Sequence, residues 1–545
     1  MTANPSSALA NGTAPISLAL LVRNGLQMPL GGLPVEWSSS GSNNLFSSDA
    51  GTTDTAGVTT TILRSTRAEQ KTVTARIGSW TMTKTVEFLA GPPIAATSSI
   101  IVSPNPGMVA GGPSTLTVAV ALGDALGNPV SGAPVSLSAT GSQMVFSPPS
   151  GVTNMAGVFT ALLDSPIIQR QTVTATSGSV VLRTNASWVC PNAPRYVTLP
   201  PVSTGGTGSR CVASGDIDGD GRKDLVVGNA SSSNVSVLLG NGQGGMTLAG
   251  RSNLSMASAS SAVLAIAVRD LNRDGRDDVL TANWFWGTFD SFLAQPDGGL
   301  TTALARGSGG FSSGLSFGDF DGDGRDDLFI AVGGAQYNAT TAFRGLVDGG
   351  FDYVGGVTAT NSNGVAGGDL NGDGLADMAI AQNTTAHLGI ALSRGDGGFT
   401  VPVTYGGCAG SGANFVTEAD VDRDGRLDVI TAETPCNTVT VYLGNGDGTL
   451  RATVPVIVGT GPNGLTTLDA NGDGLVDVAT VSGSRGISLL FGRGDGGFSA
   501  PFSFDAGPAS NSITVNDFNG DGLPDLATAS NSNEVSVLLQ SGCQP

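Results

Sequence analysis

The stretch DIDGDGRKD, Asp216 to Asp224, places four aspartates at its positions 1, 3, 5 and 9. Carboxylates packed this closely repel one another unless a cation neutralises them. The four side chains, a backbone carbonyl at position 7 and a turn-forming glycine at position 6 together supply the hard oxygen ligands that Ca²⁺ requires. The stretch therefore predicts a calcium-binding turn.

The same phrase occurs six more times, starting at Asp270, Asp319, Asp369, Asp420, Asp469 and Asp517. Each copy leads into a short apolar, β-rich stretch, and a second such stretch, a glycine-rich turn and a further strand follow. Four strands in a repeat of roughly 50 residues are typical of a β-propeller blade. We predict an all-β fold that ends in a seven-bladed propeller. A solenoid is the alternative, but helical solenoids need a period of 3.6 residues, which is not visible.

Positions 1, 3, 5, 7 and 9 of the copies are the predicted metal ligands, and position 7 contributes its backbone carbonyl. Up to seven Ca²⁺ ions are expected, whereas Mg²⁺ prefers fewer carboxylates. An EF-hand is excluded because position 12, Val227 in the first copy, is never Glu. The predicted ligands are Asp216, Asp218, Asp220, Arg222, Asp224, Asp270, Asn272, Asp274, Arg276, Asp278, Asp319, Asp321, Asp323, Arg325, Asp327, Asp369, Asn371, Asp373, Leu375, Asp377, Asp420, Asp422, Asp424, Arg426, Asp428, Asp469, Asn471, Asp473, Leu475, Asp477, Asp517, Asn519, Asp521, Leu523 and Asp525.

The acidity of the chain belongs mainly to these loops. The formal net charge is −19, and more than half of the 44 acidic residues occupy the loop positions. Such a surface argues against nucleic acid and against anionic membranes as partners. No apolar run has the length of a membrane span.

The ends of the repeat region predict how its ring closes. The chain stops after VSVLLQSGCQP, so the seventh blade lacks its fourth strand, and PRYVTLPPV (Pro194 to Val202) precedes the first repeat without a blade to join. We expect this segment to supply the missing strand, which would leave few free sheet edges.

On these motifs, residues 195–545 resemble the FG-GAP/VCBS repeats of bacterial surface proteins, which are similar to the propeller of integrin α subunits. The resemblance implies that each loop joins the first two strands of a blade and holds Ca²⁺ on one face of the ring. It says little about the ligand.

Residues 1–190 contain a duplication with an offset of 100. LGGLPVEWS (Leu30 to Ser38) matches VSGAPVSLS (Val130 to Ser138), and KTVTARIGS (Lys71 to Ser79) matches QTVTATSGS (Gln171 to Ser179). The alternation predicts two β-sandwiches. They resemble invasin/intimin-type bacterial Ig-like domains, which implies a stalk; two sandwiches of unknown role are the alternative.

The predicted domains are therefore residues 1–92, 93–189 and 190–545. The second sandwich opens with SSIIVSPNPGMVAGG (Ser98 to Gly112), and an offset of 100 places its counterpart before residue 12, where no matching strand is recognisable in the sequence. We therefore expect the first sandwich to be incomplete at its N-terminus. The chain also shows no signal peptide.

The five cysteines suit an oxidising compartment. Placed on the blades, they predict the disulfides Cys190–Cys543, which would staple the ring closure, and Cys408–Cys436. Cys211 falls inside a first strand and is expected to be a buried free thiol. Isolated buried thiols are the alternative to both pairs.

No catalytic constellation is recognisable. The one histidine, His387, has no acid or nucleophile partner in sequence, so an enzyme is not expected. The loops opposite the calcium face carry Trp284, Trp286 and Tyr337, which could bind a glycan or an extracellular protein. The sequence thus predicts a secreted or surface-displayed bacterial adhesion protein that is monomeric. The alternatives are a polysaccharide-acting enzyme and a passive scaffold of a longer surface protein.

Overall fold

The structure, a computed structural model, describes residues 1–103, 107–108, 115–140, 144–165, 169–190, 193–249, 262–285, 287–333, 339–383, 387–407, 412–483, 486–505 and 510–543. It divides into two compact units, Met1–Val189 and Cys190–Pro545. The all-β prediction is confirmed, because the helical content of the described residues is one 3₁₀ turn at Ala95–Thr97. Within those residues, no helix is long and apolar enough to span a membrane.

The first sandwich occupies the start of the first unit. Its two sheets have the strand orders β1-β3-β7-β5 and β2-β9-β8-β4-β6. Its strands are β1 (Thr2–Asn4), β2 (Ser7–Leu9), β3 (Ile16–Leu21), β4 (Pro34–Ser39), β5 (Asn44–Phe46), β6 (Ala50–Thr52), β7 (Val58–Ser65), β8 (Glu69–Ile77) and β9 (Trp80–Leu89). Alternate residues of β3 are buried, as expected for strands with one face on a core.

The second sandwich repeats this topology, with the orders β10-β12-β16-β14 and β11-β18-β17-β13-β15. Its strands are β10 (Ser99–Ser103), β11 (Gly107–Met108), β12 (Leu116–Ala121), β13 (Pro134–Ala139), β14 (Val145–Ser147), β15 (Ser150–Val152), β16 (Val158–Asp164), β17 (Gln169–Ser177) and β18 (Val180–Val189). Trp188 and Phe88, at the offset of 100, are fully buried in the two sandwiches.

The expectation that the first sandwich lacks its opening strand is wrong. Strand β1 pairs with β3 as β10 pairs with β12, and β2 runs parallel to β9 as β11 runs parallel to β18. The counterpart is short, with three residues in β1 against five in β10. The registers place it at an offset of 99 rather than 100, and the search at the fixed offset therefore missed it.

Side-chain hydrogen bonds join the two sandwiches. The amide of Asn128, 1% exposed, accepts the backbone N–H of Ala68 at 2.9 Å and donates to the carbonyl of Thr66 at 3.0 Å. Asp124 in turn accepts from Asn128 and from the backbone N–H of Gly91 in the connecting segment. The turn between β12 and β13 therefore fixes the connection.

The second unit consists of antiparallel sheets, one for each sequence repeat, with four main strands in each and a short fifth strand in two of them. The first three sheets are β21 (Ser209–Gly215), β22 (Asp224–Asn229), β23 (Asn234–Gly240), β24 (Met246–Leu248); β25 (Val263–Arg269), β26 (Asp278–Asn283), β27 (Thr288–Ala294), β28 (Leu300–Gly307); and β29 (Phe311–Gly318), β30 (Asp327–Gly333), β31 (Ala339–Gly345), β32 (Phe351–Val357). We number the sheets 1 to 7 in chain order.

Sheets 4 to 6 are β33 (Ser362–Gly368), β34 (Asp377–Gln382), β35 (Leu388–Ala391), β36 (Val403–Tyr405); β37 (Phe415–Ala419), β38 (Asp428–Glu433), β39 (Thr438–Gly444), β40 (Leu450–Ala452) with β41 (Val456–Ile457); and β42 (Pro462–Leu468), β43 (Asp477–Ser482), β44 (Gly486–Leu490), β45 (Phe502–Asp505). Sheet 7 combines β46 (Ser510–Asn516), β47 (Asp525–Ser530) and β48 (Glu534–Cys543) with β19 (Pro194–Thr198) and β20 (Val202–Ser203).

The sheets form a closed ring. The first strand of each sheet lies beside the first strand of the next, and β46 lies against β21. The prediction for the closing strand is confirmed, since β19 pairs antiparallel with β48, for example Thr198 with Leu538. The two ends of the repeat region therefore build one sheet.

The second strand of each sheet forms the core. Every residue of β22, β26, β30, β34, β38, β43 and β47 is buried. Neighbouring sheets cover both faces of these strands. Phe320 and Phe329 of sheet 3, for example, share one apolar cluster with Met378 and Ile380 of sheet 4. This double coverage explains the continuous apolar runs that follow each aspartate-rich phrase.

Candidate metal centres

The aspartate-rich phrases are the turns between the first and second strands of the sheets. In sheet 1 the loop begins directly after β21 with Asp216 and ends at Asp224, the first residue of β22. The backbone is left-handed at two points of this loop, Gly219 (φ 77°) and Gly221 (φ 83°). Position 6 is therefore glycine for a conformational reason. At position 4 the second and fifth loops tolerate Arg273 and Arg423 in the same conformation.

Backbone N–H groups hold the side chains in place. In sheet 1 the carboxylate of Asp216 accepts the N–H of Gly221 at 2.9 Å, Asp218 accepts that of Asp220, and Asp220 accepts that of Arg222. The corresponding bonds from positions 6, 5 and 7 recur in the other loops. The loops are thus copies of one structure.

Three loops gather carboxylates closely enough for a metal ion. Oxygens from positions 1, 3 and 9 lie within 4.8 Å of one another in these clusters: Asp216, Asp218 and Asp224; Asp319, Asp321 and Asp327; Asp420, Asp422 and Asp428. The other four loops have Asn at position 3, whose amide donates to the position 5 carboxylate at 2.9–3.2 Å. They therefore present one carboxylate fewer.

Arginine competes for part of the donor set. Where position 7 is Arg, its guanidinium pairs with the aspartate at position 5, for example Arg222 with Asp220 at 3.0 Å and Arg276 with Asp274 at 2.5 Å. Arg344 of sheet 3 also pairs with Asp321. These pairs neutralise some of the charge that the sequence assigned to metal alone.

Position 9 has a second role that the sequence did not reveal. Asp224 is buried, and its Oδ2 accepts the N–H of Ile217 while its Oδ1 accepts that of Gly240, both at 2.8 Å. Equivalent pairs of bonds hold the position 9 aspartates Asp278, Asp327, Asp377, Asp428, Asp477 and Asp525. Each of these carboxylates ties its loop to the end of the third strand.

Burial dominates the electrostatics of these aspartates. Desolvation raises the pKa of Asp224 and Asp278 to about 6, and that of Asp477 and Asp525 to about 7. The backbone N–H bonds partly oppose this rise. A cation beside such a carboxyl would favour its charged form.

The residues fit Ca²⁺. Oδ1 of Asp216 is buried and has no hydrogen-bond partner among the described residues, and an unsatisfied buried carboxylate oxygen is costly without a cation or donor. The donors at each site are carboxylate, amide and carbonyl oxygens, which is the chemistry that Ca²⁺ prefers. No softer ligand occurs in these loops.

The predicted ligand face is only partly described. Trp284 is half-buried and stacks on Phe311 of sheet 3, with ring centroids 5.2 Å apart and planes inclined by 16°. It therefore packs between sheets 2 and 3. Trp286 and Tyr337 lie outside the described residues. The neighbouring Phe285 is 62% exposed.

The structure forms the Cys190–Cys543 disulfide, which links the residues on either side of the β19–β48 pairing. Cys211 is a buried free thiol, as predicted, and burial raises its pKa to about 12. Cys408 of the proposed second pair, Cys408–Cys436, lies outside the described residues. His387 is 3% exposed, so it is buried directly before β35.

Fold and loops together define an all-β repeat protein with oxygen-rich loops, preceded by two Ig-like sandwiches. FG-GAP-like repeats match residues 216–281, 319–380, 369–431, 420–480 and 469–528, which together are about half of the chain. The chain belongs to the FG-GAP-like repeat family. The bacterial Ig-like domain (group 1) matches residues 1–89 and 97–189. This combination of domains is characteristic of surface and adhesion proteins.

Solved structures resemble this chain only at low sequence identity. The D0-D1 domain of intimin is 22% identical and covers 34% of this chain and 93% of its own, with a TM-score of 0.17. InvD of Yersinia pseudotuberculosis is 14% identical over 65% of this chain and 94% of its own (TM-score 0.30). A Lactobacillus plantarum protein is 14% identical over 63% of this chain and 94% of its own (TM-score 0.42). No curated protein matches the chain.

Proposed function

We propose that this protein is a calcium-stabilised adhesion or binding protein of the bacterial surface or its surroundings. Residues 190–545 form the ligand-binding propeller, and residues 1–92 and 93–189 form its Ig-like stalk. The ligand is a glycan or an extracellular protein, and the chain acts as a monomer.

The observation that carries this proposal is that the two ends of the ring carry different features. The aspartate-rich loops all follow first strands, so they share one end of the ring. At the other end, where the first strands begin, the chain leaves a cavity and an exposed aromatic residue, Phe285. One end of the ring thus suits structural metal, and the other is available to a ligand.

Calcium has a structural role in this proposal. The side chains at positions 1, 3, 5 and 9 of each loop would hold it, with the carbonyl at position 7, up to seven ions in all. Bound Ca²⁺ supplies positive charge among clustered carboxylates. Because the unfolded chain binds it poorly, calcium stabilises the folded ring by mass action.

Two observations favour an extracellular setting. The Cys190–Cys543 disulfide joins residues 353 apart in sequence, and structural disulfides persist in oxidising compartments. The seven aspartate-rich loops also need a supply of calcium, and extracellular calcium modules in general bind it at roughly 10⁻⁴–10⁻³ M. Free calcium outside the cell is the natural source for such sites.

A catalytic role is not proposed. Most acids of the second unit belong to the loops or to ion pairs, and His387 is buried. The matched families are not enzymatic ones. A passive scaffold remains the competing function, and a binding measurement separates the two.

The experiment is a glycan and matrix-protein array probed with the full chain, in calcium and again in EGTA. A matched sample carries Asp216→Asn, Asp319→Asn and Asp420→Asn, which remove one carboxylate from each cluster. We expect binding that is strong in calcium and weak in EGTA and in the triple variant. If the folded, calcium-loaded chain binds neither the array nor whole cells, the proposal is contradicted.

A further inference from the structure

A cavity of ≈ 590 Å³ opens at the end of the ring opposite the aspartate-rich loops. Every repeat contributes to its lining the residue that precedes the first loop aspartate by six positions. Sheets 4 to 7 supply Asn363, Asn414, Asn463 and Asn511, sheet 1 supplies Arg210, and the remaining two supply a leucine and a serine. The cavity is thus walled by equivalent positions, of which four are amides.

Backbone irregularity directs these side chains. In sheet 1 the register between β21 and β22 shifts between Ser209 and Cys211, which leaves Arg210 as the extra residue of a β-bulge. The same shift occurs at Asn363, Asn463 and Asn511 in sheets 4, 6 and 7. Bulges of this kind re-aim a side chain and are common beside functional sites.

The amides are partly organised and partly available. Nδ2 of Asn363 donates to Oδ1 of Asn414 at 2.7 Å, and Nδ2 of Asn414 donates to Oγ1 of Thr434 at 2.6 Å. Nδ2 of Asn511 is buried and has no partner among the residues that the structure describes. Two amides held by hydrogen bonds and one unsatisfied donor, all lining the same cavity, suit a ligand rich in hydroxyl groups.

Arg210 gives the cavity its charge. It is exposed, has no ion-pair partner in the described part of the chain, and is the one charged residue among the described lining residues. Its guanidinium is well suited to a carboxylate, which it can bind through two parallel hydrogen bonds. Because Arg210 is the one cation among the described lining residues and the chain as a whole has a net charge of −19, the cavity would favour a ligand with an anionic group.

Aromatic side chains complete the wall. Trp284 and Phe415, from sheets 2 and 5, both line the cavity. Trp284 is held by its stack on Phe311, so its position is set before a ligand arrives. Apolar ring faces beside amides and one arginine are the mixture expected for a sugar rather than for an inorganic anion.

We propose that this cavity binds one carboxylate-bearing sugar residue at the end of a glycan. Arg210 holds the carboxylate, the asparagine amides hold hydroxyl groups, and Trp284 and Phe415 pack against the sugar ring. The inference rests on the proposed binding function and assigns it a site and a ligand class.

The test is isothermal titration of the calcium-loaded full chain with N-acetylneuraminic acid and glucuronic acid, and with neutral N-acetylglucosamine and glucose. Arg210→Gln removes the cation, and Arg451→Gln is the matched control, since Arg451 is an exposed residue of β40 in sheet 5. Asn463→Asp keeps the side-chain shape and adds a negative charge to the cavity. Thermal melts establish that each variant is folded.

We expect an acidic sugar to bind more tightly than its neutral counterpart. Arg210→Gln and Asn463→Asp should each weaken that binding about tenfold or more, and Arg451→Gln should leave it unchanged. Equal binding by wild type and Arg210→Gln would overturn the cavity site while the proposed function still stands. Failure of both acidic sugars to bind a chain that gives array hits would also overturn it. Absence of array hits is the separate failure of the proposed function.

Discussion

Asp224 and Gly240, sixteen residues apart in sequence, are joined by a hydrogen bond of 2.8 Å from the backbone N–H of Gly240 to Oδ1 of the carboxylate. The other oxygen of Asp224 accepts the N–H of Ile217. One side chain therefore connects the metal loop, the second strand and the end of the third strand. The same arrangement recurs in each repeat, so these aspartates stabilise the sheets whether or not metal is bound.

Replacing Asp224 by alanine should destabilise the second unit even without metal. The change leaves two buried N–H groups without acceptors, each of which costs about 1–3 kcal/mol. We expect a loss of about 2–6 kcal/mol in the free energy of unfolding, measured by denaturant titration in EGTA.

Asp220→Ala is the matched control for this change. Asp220 lies in the same loop, but it is partly exposed and pairs with the exposed Arg222. Exposed pairs contribute about 0–1 kcal/mol, so this variant should stay within about 1 kcal/mol of wild type in EGTA. Equal losses for the two variants would contradict the structural role of position 9.

Asp290 predicts a pH-dependent effect outside the metal loops. It is 3% exposed in β27, and burial raises its pKa above the ordinary value of 3.8, opposed by a hydrogen bond from Asn283. The folded state therefore favours the protonated carboxyl group of Asp290. The resulting stabilisation is complete below pH 3.8 and is lost as the pH rises through the folded-state pKa.

Asp290→Asn should remove this loss, because the amide cannot ionise. We expect the variant to melt at a higher temperature than wild type at pH 8 and at a similar temperature near pH 4, both measured in EGTA. Repeat 1 already has a neutral residue at this place, Ser236, which accepts a hydrogen bond from Asn229 at 2.8 Å. A difference that does not change with pH would show that Asp290 does not titrate as the structure implies.

The disulfide predicts a large effect on ring closure. Cys190 and Cys543 lie 353 residues apart in sequence. Removal of a native disulfide typically lowers the free energy of unfolding by about 2–5 kcal/mol. The double variant Cys190→Ser, Cys543→Ser should lower the unfolding midpoint of the second unit, followed by denaturant titration. A dithiothreitol series on wild type and variant is the control. If the variant matches oxidised wild type, the covalent closure is dispensable.

The sequence predicted most of the repeat domain, because its determinants are local. Glycine at a left-handed position and aspartates at fixed spacing specify the loop within nine residues, and the apolar run after Asp224 specifies the buried second strand. The closing strand followed from counting strands at the two ends. The Cys190–Cys543 disulfide followed from that closure.

Other features depend on contacts that residue types do not encode. The acceptors on Asp224 bond to backbone N–H groups, which every residue except proline carries, so no pattern marks them. The bulge at Arg210 is a change of register that leaves no mark in composition. The asparagines six residues before four of the loops are visible in the sequence. That all four line one cavity follows only from the closed ring of sheets. The opening strand of the first sandwich was missed because of a one-residue change of offset.

The most direct test of the account is to count calcium and to measure its effect on unfolding in one experiment. The full chain is stripped with EGTA, dialysed against calcium, analysed for bound metal by mass spectrometry and melted with and without calcium. We predict between three ions, one for each carboxylate cluster, and seven, one for each loop, and a clearly lower melting temperature of the second unit without metal. A chain that retains no calcium, or that melts at the same temperature once metal loss is confirmed, would contradict it.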